Sequence, residues 1–410
     1  MISLITLFIV FILIAVRRFG PVRLEIWQIM CGGALIVLLG GGITPADAVR
    51  AVDWEVILFL IAMFSAGQVL EMSGWLSRTQ YKIFRRSRNA EQLLFSLVFF
   101  MGFASALFMN DTLAIIGTPV VLLMSRKYGI HSKPLLLALA FSLTVGSALS
   151  PVGNPQNLLI AVRGGLSSPF VTFFKHLIFP TLINLAAVCL FVKMYYRADF
   201  TRCPLRHAAE HYKDERMVLL AKITVSVLVA AILLKAVFSL LFPSLDFSIT
   251  YVALAAAFPG LVFSGRRLEI IKNIDWTTIA FFTGMFILMQ AVWNTGFFQS
   301  VLAKSGTDIR SVGPLMAVSV IMSQLISNVP FVALCLPLLT QAGASENVLM
   351  ALAASSTVAG NMFILGAASN VIIIQAAEKK YRETVTFWEF ARIGVPLTAV
   401  NVLVYYLFLR

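Results

Sequence analysis

Apolar segments follow one another along almost the whole chain, at about 2–16, 24–41, 55–73, 94–109, 112–124, 135–152, 157–162, 169–195, 217–242, 248–264, 275–295, 312–327, 331–342, 348–362, 364–378 and 386–408. A helix needs about 20 apolar residues to cross a bilayer, and runs of 10–14 are more often re-entrant. Several segments are too short to cross alone. The short ones come in pairs around polar breaks: Asn110-Asp111-Thr112, GNPQN at 153–157, Ser327-Asn328-Val329-Pro330 and GNMFILGAASN at 360–370. The composition belongs to lipid as well, with 59% hydrophobic and 12% charged residues and a mean hydropathy of +0.90. Soluble chains carry about 25% charged residues, so a soluble enzyme, a nucleic-acid-binding domain, a disordered chain and a secreted disulfide scaffold are excluded.

The net charge of +13 belongs to short cytoplasmic loops, where membrane proteins hold Lys and Arg, so no nucleic-acid partner is expected. Cys31, Cys189, Cys203 and Cys335 are far apart and show no metal-ligand or disulfide spacing, so they read as small apolar fillers. Nor is a transition-metal site expected. The run 2–16 has Arg17-Arg18 after it and no basic residue before it. That is the reverse of a cleavable signal peptide, and it reads as a retained first helix with its N-terminus outside.

The short segments pair into hairpins at about 94–124 and 312–342, each entering and leaving on one side. The segments at about 135–162 and 348–377 read as single helices broken in the middle. The expected fold is therefore an all-α polytopic membrane protein of about ten transmembrane helices plus two re-entrant hairpins. This arrangement places 24 of the 32 basic residues on the inner side. Arg50, Arg163, Lys304 and Arg310 remain in the outer loops. Counting the hairpins as full crossings loses this bias. The polar stretch 196–216 reads as a cytoplasmic linker between a first half, 1–195, and a second, 217–410.

The halves resemble each other. Asp53-Trp54, Gln68 and Gly74 match Asp275-Trp276, Gln290 and Gly296; Asn110 and Pro119 match Asn328 and Pro337; Gly153 and Asn157 match Gly366 and Asn370. Asp53 begins its helix outside and Asp275 inside in the expected topology, so the repeats are inverted. Inverted halves with interrupted helices typify alternating-access secondary transporters.

Irregular backbone at membrane depth leaves N–H and C=O groups unpaired, and survives only within protein or beside a polar cavity. Half-helix C-termini offer carbonyls to a cation, and half-helix N-termini offer N–H groups to an anion. In the first half Gly153 permits the turn and Pro155 starts the outgoing half-helix, while Asn154, Gln156 and Asn157 supply amides. Gly360, Asn361, Gly366, Ser369 and Asn370 repeat this chemistry. The hairpin tips add Asn110, Asp111, Thr112, Ser327 and Asn328, with Pro330 starting the second limb. Such oxygen-rich clusters suit hard cations such as Na⁺; the plainer reading is that Asp111 and Asn328 cap helix ends. Asp111 is the one carboxylate expected deep in the membrane, where an acid marks a functional site. It would carry a proton or help hold Na⁺. Glu71, Lys175, His176 and Lys235 lie nearer helix ends, where snorkelling accounts for them.

The runs NDTLAIIGTPVVLL (110–123), SALSPVGNPQNLLIA (147–161), ISNVPFVALCLPLL (326–339) and STVAGNMFILGAASNVI (356–372) resemble the ion transporter superfamily. That group includes arsenite-efflux permeases, citrate and dicarboxylate transporters and Na⁺/H⁺ antiporters. The resemblance implies an inverted-repeat transporter, commonly a homodimer, whose substrate region moves like an elevator against a scaffold. It also implies cation sites between each hairpin tip and its neighbouring broken helix. Here those are Asn110, Asp111 and Thr112 with Gly153, Asn154 and Asn157, and Ser327 and Asn328 with Gly366, Ser369 and Asn370. Dicarboxylate transporters of the group carry Ser-Asn-Thr at both tips. The Asn-Asp-Thr and Ser-Asn-Val of this chain are closer to the arsenite and citrate branches.

The expected function is secondary active transport of a small anion or oxyanion across the inner membrane, coupled to Na⁺ or H⁺ and needing no cofactor. The alternative is an arsenite or antimonite efflux permease, or a Na⁺/H⁺ antiporter, of the same fold. A membrane enzyme would need a nucleophile–base set or metal ligands, and the sequence has no HExxH, GxSxG or His/Asp cluster.

Overall fold

The computed structural model describes residues 2–16, 18–19, 22–23, 25–75, 79, 87, 89–200, 215–241, 247–297, 300, 310–381 and 385–410. The expected linker lies outside these residues from 201 to 214. The first half runs through helices α1 (Ile2–Val16), α2 (Ile26–Leu39), α3 (Pro45–Ala51) and α4 (Trp54–Ser73). Then come a helical pair, α5 (Ala90–Leu107) and α6 (Asn110–Tyr128), and the two pieces of a broken helix, α7 (Ser132–Ser147) and α8 (Pro155–Arg163). Helices α9 (Pro169–Tyr195) and α10 (Arg197–Phe200) close the half. The second half follows the same order: α11 (Glu215–Leu241), α12 (Ile249–Phe263), α13 (Arg267–Lys272), α14 (Trp276–Trp293), the pair α15 (Val312–Ile326) and α16 (Asn328–Gln341), then α17 (Glu346–Val358). Two 3₁₀ turns, Ala359–Asn361 and Ile364–Gly366, separate α17 from α18 (Ala368–Tyr381), and α19 (Phe387–Leu409) ends the chain. Among the described residues six helices are long and apolar enough to cross a membrane: α4, α5, α9, α11, α14 and α19.

Matched positions of the two halves play matched local roles. Asp53 and Asp275 are both N-cap residues whose carboxylates accept backbone N–H groups of the first turn, which satisfies donors a helix start leaves open. Gly74 (φ 64°) caps the end of α4, and Gly296 (φ 69°), also left-handed, lies in the turn that follows the end of α14. Asn110 and Asn328 each open the second limb of a helical pair. Pro330 falls inside the first turn of α16, which begins two residues earlier than expected. The short helices α3 and α13, absent from the apolar segmentation, precede Asp53 and Asp275. Thr44 caps α3 by accepting from Asp47 N, with Pro45 at its first position.

The packing is crossed. Helix α5 lies on α7 and α15 on α17, but α6 lies on α18 of the other half, and α16 on α8. Helices α9 and α19 pack together behind the broken helices, and α2 with α14 and α4 with α12 form the opposite wall. Large apolar side chains remain exposed on α1 (Ile5, Phe8, Ile12), α9 (Phe174, Phe179, Leu190) and α11 (Leu219, Leu233, Leu234). Such patches are rare in water and are ordinary against acyl chains. One snorkelling expectation is corrected. Lys235 is only 4% exposed, with Nζ 5.3 Å from the centroid of the Phe247 ring.

Helices α5 and α7 touch backbone to backbone. A Cβ added to Gly146 would lie 2.0 Å from Gly102 O, the close approach that small residues permit between membrane helices. Gly146→Ala is expected to cost at least the ~1–3 kcal/mol of an overpacked core. Thermal unfolding in detergent would show it as a lowered midpoint. Gly32→Ala, with nothing within 4 Å of the new methyl, is the control and should leave the midpoint unchanged.

Candidate functional site

Both hairpin tips and both helix breaks reach one cavity of about 290 Å³. Asn110 and Asp111 line it from the first tip, and Ser327, Asn328 and Val329 from the second. Pro155 and Gln156 come from the first break, and Leu365, Gly366, Ala367 and Ala368 from the second. The facing wall supplies Glu25, Trp27, Asp275, Thr277, Thr278, Phe281 and Phe282, and α18 adds Val371, Ile372 and Gln375. Among the described residues no Lys, Arg or His lines this cavity. Asp111 lies in the first turn of α6, where the helix dipole favours a negative charge. It shares the wall with two further carboxylates, Glu25 and Asp275, each at a helix start.

The other expected site residues stand just behind the cavity wall, all buried. Thr112 packs on α4, so that a Cβ on Gly67 would lie 2.7 Å from Thr112 Cγ2. Gly153 needs no left-handed backbone. It is required by close approach, because a Cβ there would lie 2.3 Å from Ser147 O and 2.8 Å from Ser105 O. Gly153 O also accepts the Asn110 backbone N–H at 3.0 Å, joining the first tip to the first break.

The first break is satisfied from within. Asn154 Oδ1 accepts Asn157 N at 2.9 Å, capping α8, and Asn154 Nδ2 donates to Ser147 Oγ and Thr357 Oγ1 at 3.1 Å each. Asn157 Nδ2 lies within hydrogen-bonding distance of three carbonyls, Ser147 O (3.0 Å), Ala148 O (3.3 Å) and Ser150 O (3.1 Å). Ser147 O and Ala148 O lie at the end of α7, where a helix leaves carbonyls without an intrahelical partner. Thr357 of α17 donates to Asn157 Oδ1 at 3.3 Å, so the two breaks are bonded to each other.

The second break is open by comparison. Asn370 Nδ2 donates to Gly360 O at 2.8 Å, matching the role of Asn157, and Gln324 Nε2 donates to Ala359 O at 2.7 Å. Yet Asn328 Oδ1, both amide atoms of Asn361, Ser369 Oγ and Asn370 Oδ1 are buried with no hydrogen-bond partner among the described residues. An unpaired buried polar atom costs about 1–3 kcal/mol. The second tip is also strained. Ser327, at φ 72° and ψ 156°, is the one non-glycine residue with positive φ among those described, and residues held in sparsely populated backbone regions cluster at functional sites. The capping reading fails at Asn328, whose Oδ1 is unpaired, and neither tip makes a side-chain cap hydrogen bond.

On the far side of α8, Arg163 Nε donates to Asp53 Oδ2 at 2.5 Å, and the guanidinium lies 5.4 Å from the Phe286 ring centroid. This pair ties the outgoing half of the first broken helix to the start of α4. Its repeat mate Asp275 faces the cavity instead.

A sequence-family description of the citrate transporter, CitMHS, matches residues 8–348. The chain belongs to that citrate transporter family. An uncharacterised transporter of Mycobacterium tuberculosis is 29% identical over 396 residues, covering 91% of each chain. A silicon efflux transporter of Oryza sativa subsp. japonica is 26% identical, covering 90% of this chain and 89% of its own. The crystal structure of the Alcanivorax borkumensis YdaH transporter shares the fold, with a TM-score of 0.62 and 16% identity over 99% of this chain and 96% of that one. This citrate transporter family member is thus a multi-pass membrane transporter.

Glu25, Trp27, Thr277, Thr278, Thr357 and Gln375 belong to no break motif in the sequence, and Asp275 stands out there only as a mark of the repeat. The repeat itself carried a signal for Asp275. If one half of an inverted pair lines a central cavity, the matched helix start of the other is a candidate to face it.

Proposed function

We propose that the chain is a cation-coupled secondary transporter of a small oxygen-rich solute. The observation that carries this is the meeting of both tips and both breaks at one cavity. At about 290 Å³ it stands at the small end of ligand sites. The coupling cation is Na⁺ or H⁺. Asp111 supplies the charge, and the unpaired oxygens of Asn328, Asn361, Ser369 and Asn370 suit a hard cation. We place Asn110, Thr112, Gly153, Asn154 and Asn157 as the frame that holds the first tip. The remaining parts of the reading are re-entrant hairpins, inverted halves, an elevator-like displacement, a homodimer and residence in the inner membrane.

The carboxylates of Glu25, Asp111 and Asp275, with no basic side chain among the described residues of the wall, bear on the solute. A free multivalent anion would be repelled in a low-dielectric cavity. Citrate, the solute in the family's name, would enter with a bound cation. The same lining favours a second reading, an uncharged hydroxylated acid such as arsenous or silicic acid exported against an inward ion gradient.

Proteoliposomes with an imposed Na⁺ or pH gradient test both. Gradient-driven movement of citrate only when a divalent cation accompanies it supports the first reading, and movement of arsenite or silicic acid without one supports the second. Failure of every imposed gradient to drive any of these solutes contradicts the proposal. Asp275→Asn is expected to improve tolerance of free citrate, read as a lowered requirement for the divalent cation.

A further inference from the structure

Behind the broken helices, α9 and α19 carry a feature that the cavity does not use. Each has an internal proline, Pro180 and Pro396, followed by Thr-x-x-Asn: Thr181 with Asn184, and Thr398 with Asn401. Both spacings place Thr and Asn on one helix face, and the two faces meet where α9 packs on α19. All four residues, and Tyr405, are at most 1% exposed. Thr181 Oγ1 and Tyr405 OH share a hydrogen bond of 2.8 Å, and Asn184 Nδ2 donates to Asn401 O at 3.3 Å. Four atoms are left without a partner: Asn184 Oδ1, Thr398 Oγ1, and both Oδ1 and Nδ2 of Asn401.

Four unpaired polar atoms in one apolar helix interface are a heavy cost unless something bonds them. We propose that this interface is a binding site for a small cluster of ordered water. The chemistry selects water over a metal ion. Asn401 presents an unpaired donor as well as an unpaired acceptor, and a cation would satisfy only the acceptor. Because both ends of that amide are open, the argument holds whichever way it is turned. No carboxylate is among these groups to offset a full charge. Buried waters make about three hydrogen bonds each to such groups, and water can donate to Asn184 Oδ1 while accepting from Asn401 Nδ2.

The site is connected to the second break. Gly394, Thr398, Asn401 and Tyr405 recur at the spacing of a single helix face. Gly394 packs so closely on the break that a Cβ there would lie 2.1 Å from Asn361 O. Asn361 has both amide atoms unpaired. The water site therefore extends a polar face that starts at the break and ends at Tyr405, on the side of α19 away from lipid.

Residue-resolved hydroxyl-radical labelling of the full-length protein in nanodiscs tests this, because radicals generated from bound water mark side chains beside it. Tyr405 is expected to label although it is fully buried, while Phe59 and Phe141, equally buried, stay unlabelled. The label on Tyr405 is expected to be lost in Asn184→Leu/Asn401→Leu and reduced in Thr398→Val, which preserves side-chain shape. The wild-type result stands without either variant. A Tyr405 signal no higher than that of Phe59 and Phe141 overturns the proposal, and so does a signal unchanged in the double variant. Stabilisation of the wild type by NaCl over choline chloride that disappears in Asn401→Leu would overturn it in favour of a sodium site.

Discussion

Asp111→Asn is expected to yield a folded protein whose transport no longer responds to the ion gradient. The substitution keeps the size and the hydrogen-bonding shape of the side chain and removes its charge. The carboxylate lies in the first turn of α6, at the wall of the cavity. A hydrogen bond or ligand contact to a charged group is worth about 1.5–3 kcal/mol, so cation affinity should fall by roughly 10- to 100-fold. The matching readouts are the Na⁺ and pH dependence of uptake or efflux in proteoliposomes and the midpoint of thermal unfolding. Loss of gradient dependence with an unchanged midpoint is the expected pair of results. Unchanged dependence on both ions would leave Asp111 as a structural group that merely favours the helix start.

The second large effect concerns Arg163. Its partner Asp53 is 8% exposed and caps α4 through Glu55 N and Val56 N. Arg163→Gln leaves that carboxylate buried without its counter-charge. Breaking a fully buried pair costs about 3–5 kcal/mol. The Arg163 side chain is 46% exposed, so a cost of about 1–3 kcal/mol is expected, the range for a stranded buried group. Asp53→Asn/Arg163→Gln should recover most of this, since the amide can still accept from the first turn of α4. Thermal unfolding of the two single variants and the double variant closes the cycle. The same pair ties the outgoing half of a broken helix to the opposite wall, so its loss is also expected to alter which side of the membrane the cavity opens to. Additive losses in the double variant would mean that the pair carries no coupling.

Helix positions were legible from apolar run length, and the breaks from the residues that interrupt those runs. Pro155 announced a helix start, and the structure has it at the first position of α8; that Asn154 caps this helix was not read from the sequence. The matched Asp53 and Asp275 likewise proved to be matched N-caps. The difference between the two breaks was not legible. Asn157 and Asn370 have the same identity and the same place in their repeats. Only the fold decides that Asn157 meets three carbonyls and Thr357, whereas Asn370 keeps an unpaired oxygen. Glu25 and Thr277 were out of reach for a related reason. They lie at helix starts remote in sequence from any break, where a polar residue is ordinary, and the tertiary packing turns them toward the tips. The Thr-x-x-Asn pair on α9 and α19 was present in the sequence at a constant separation of 217 residues. Long apolar helices around it made a pair of isolated polar residues look incidental.

In the proposed transport cycle one cavity, shared by both tips and both breaks, opens to each side of the membrane in turn. Val329 lines it from the second tip. Val329→Cys, in a protein with Cys31, Cys189, Cys203 and Cys335 replaced, can be tested with a membrane-impermeant thiol reagent applied to either face of sealed vesicles. Labelling from both faces is predicted, with the ratio between faces shifted by the transported solute or by Na⁺. Labelling confined to one face under every condition, or absent from both, would contradict the account.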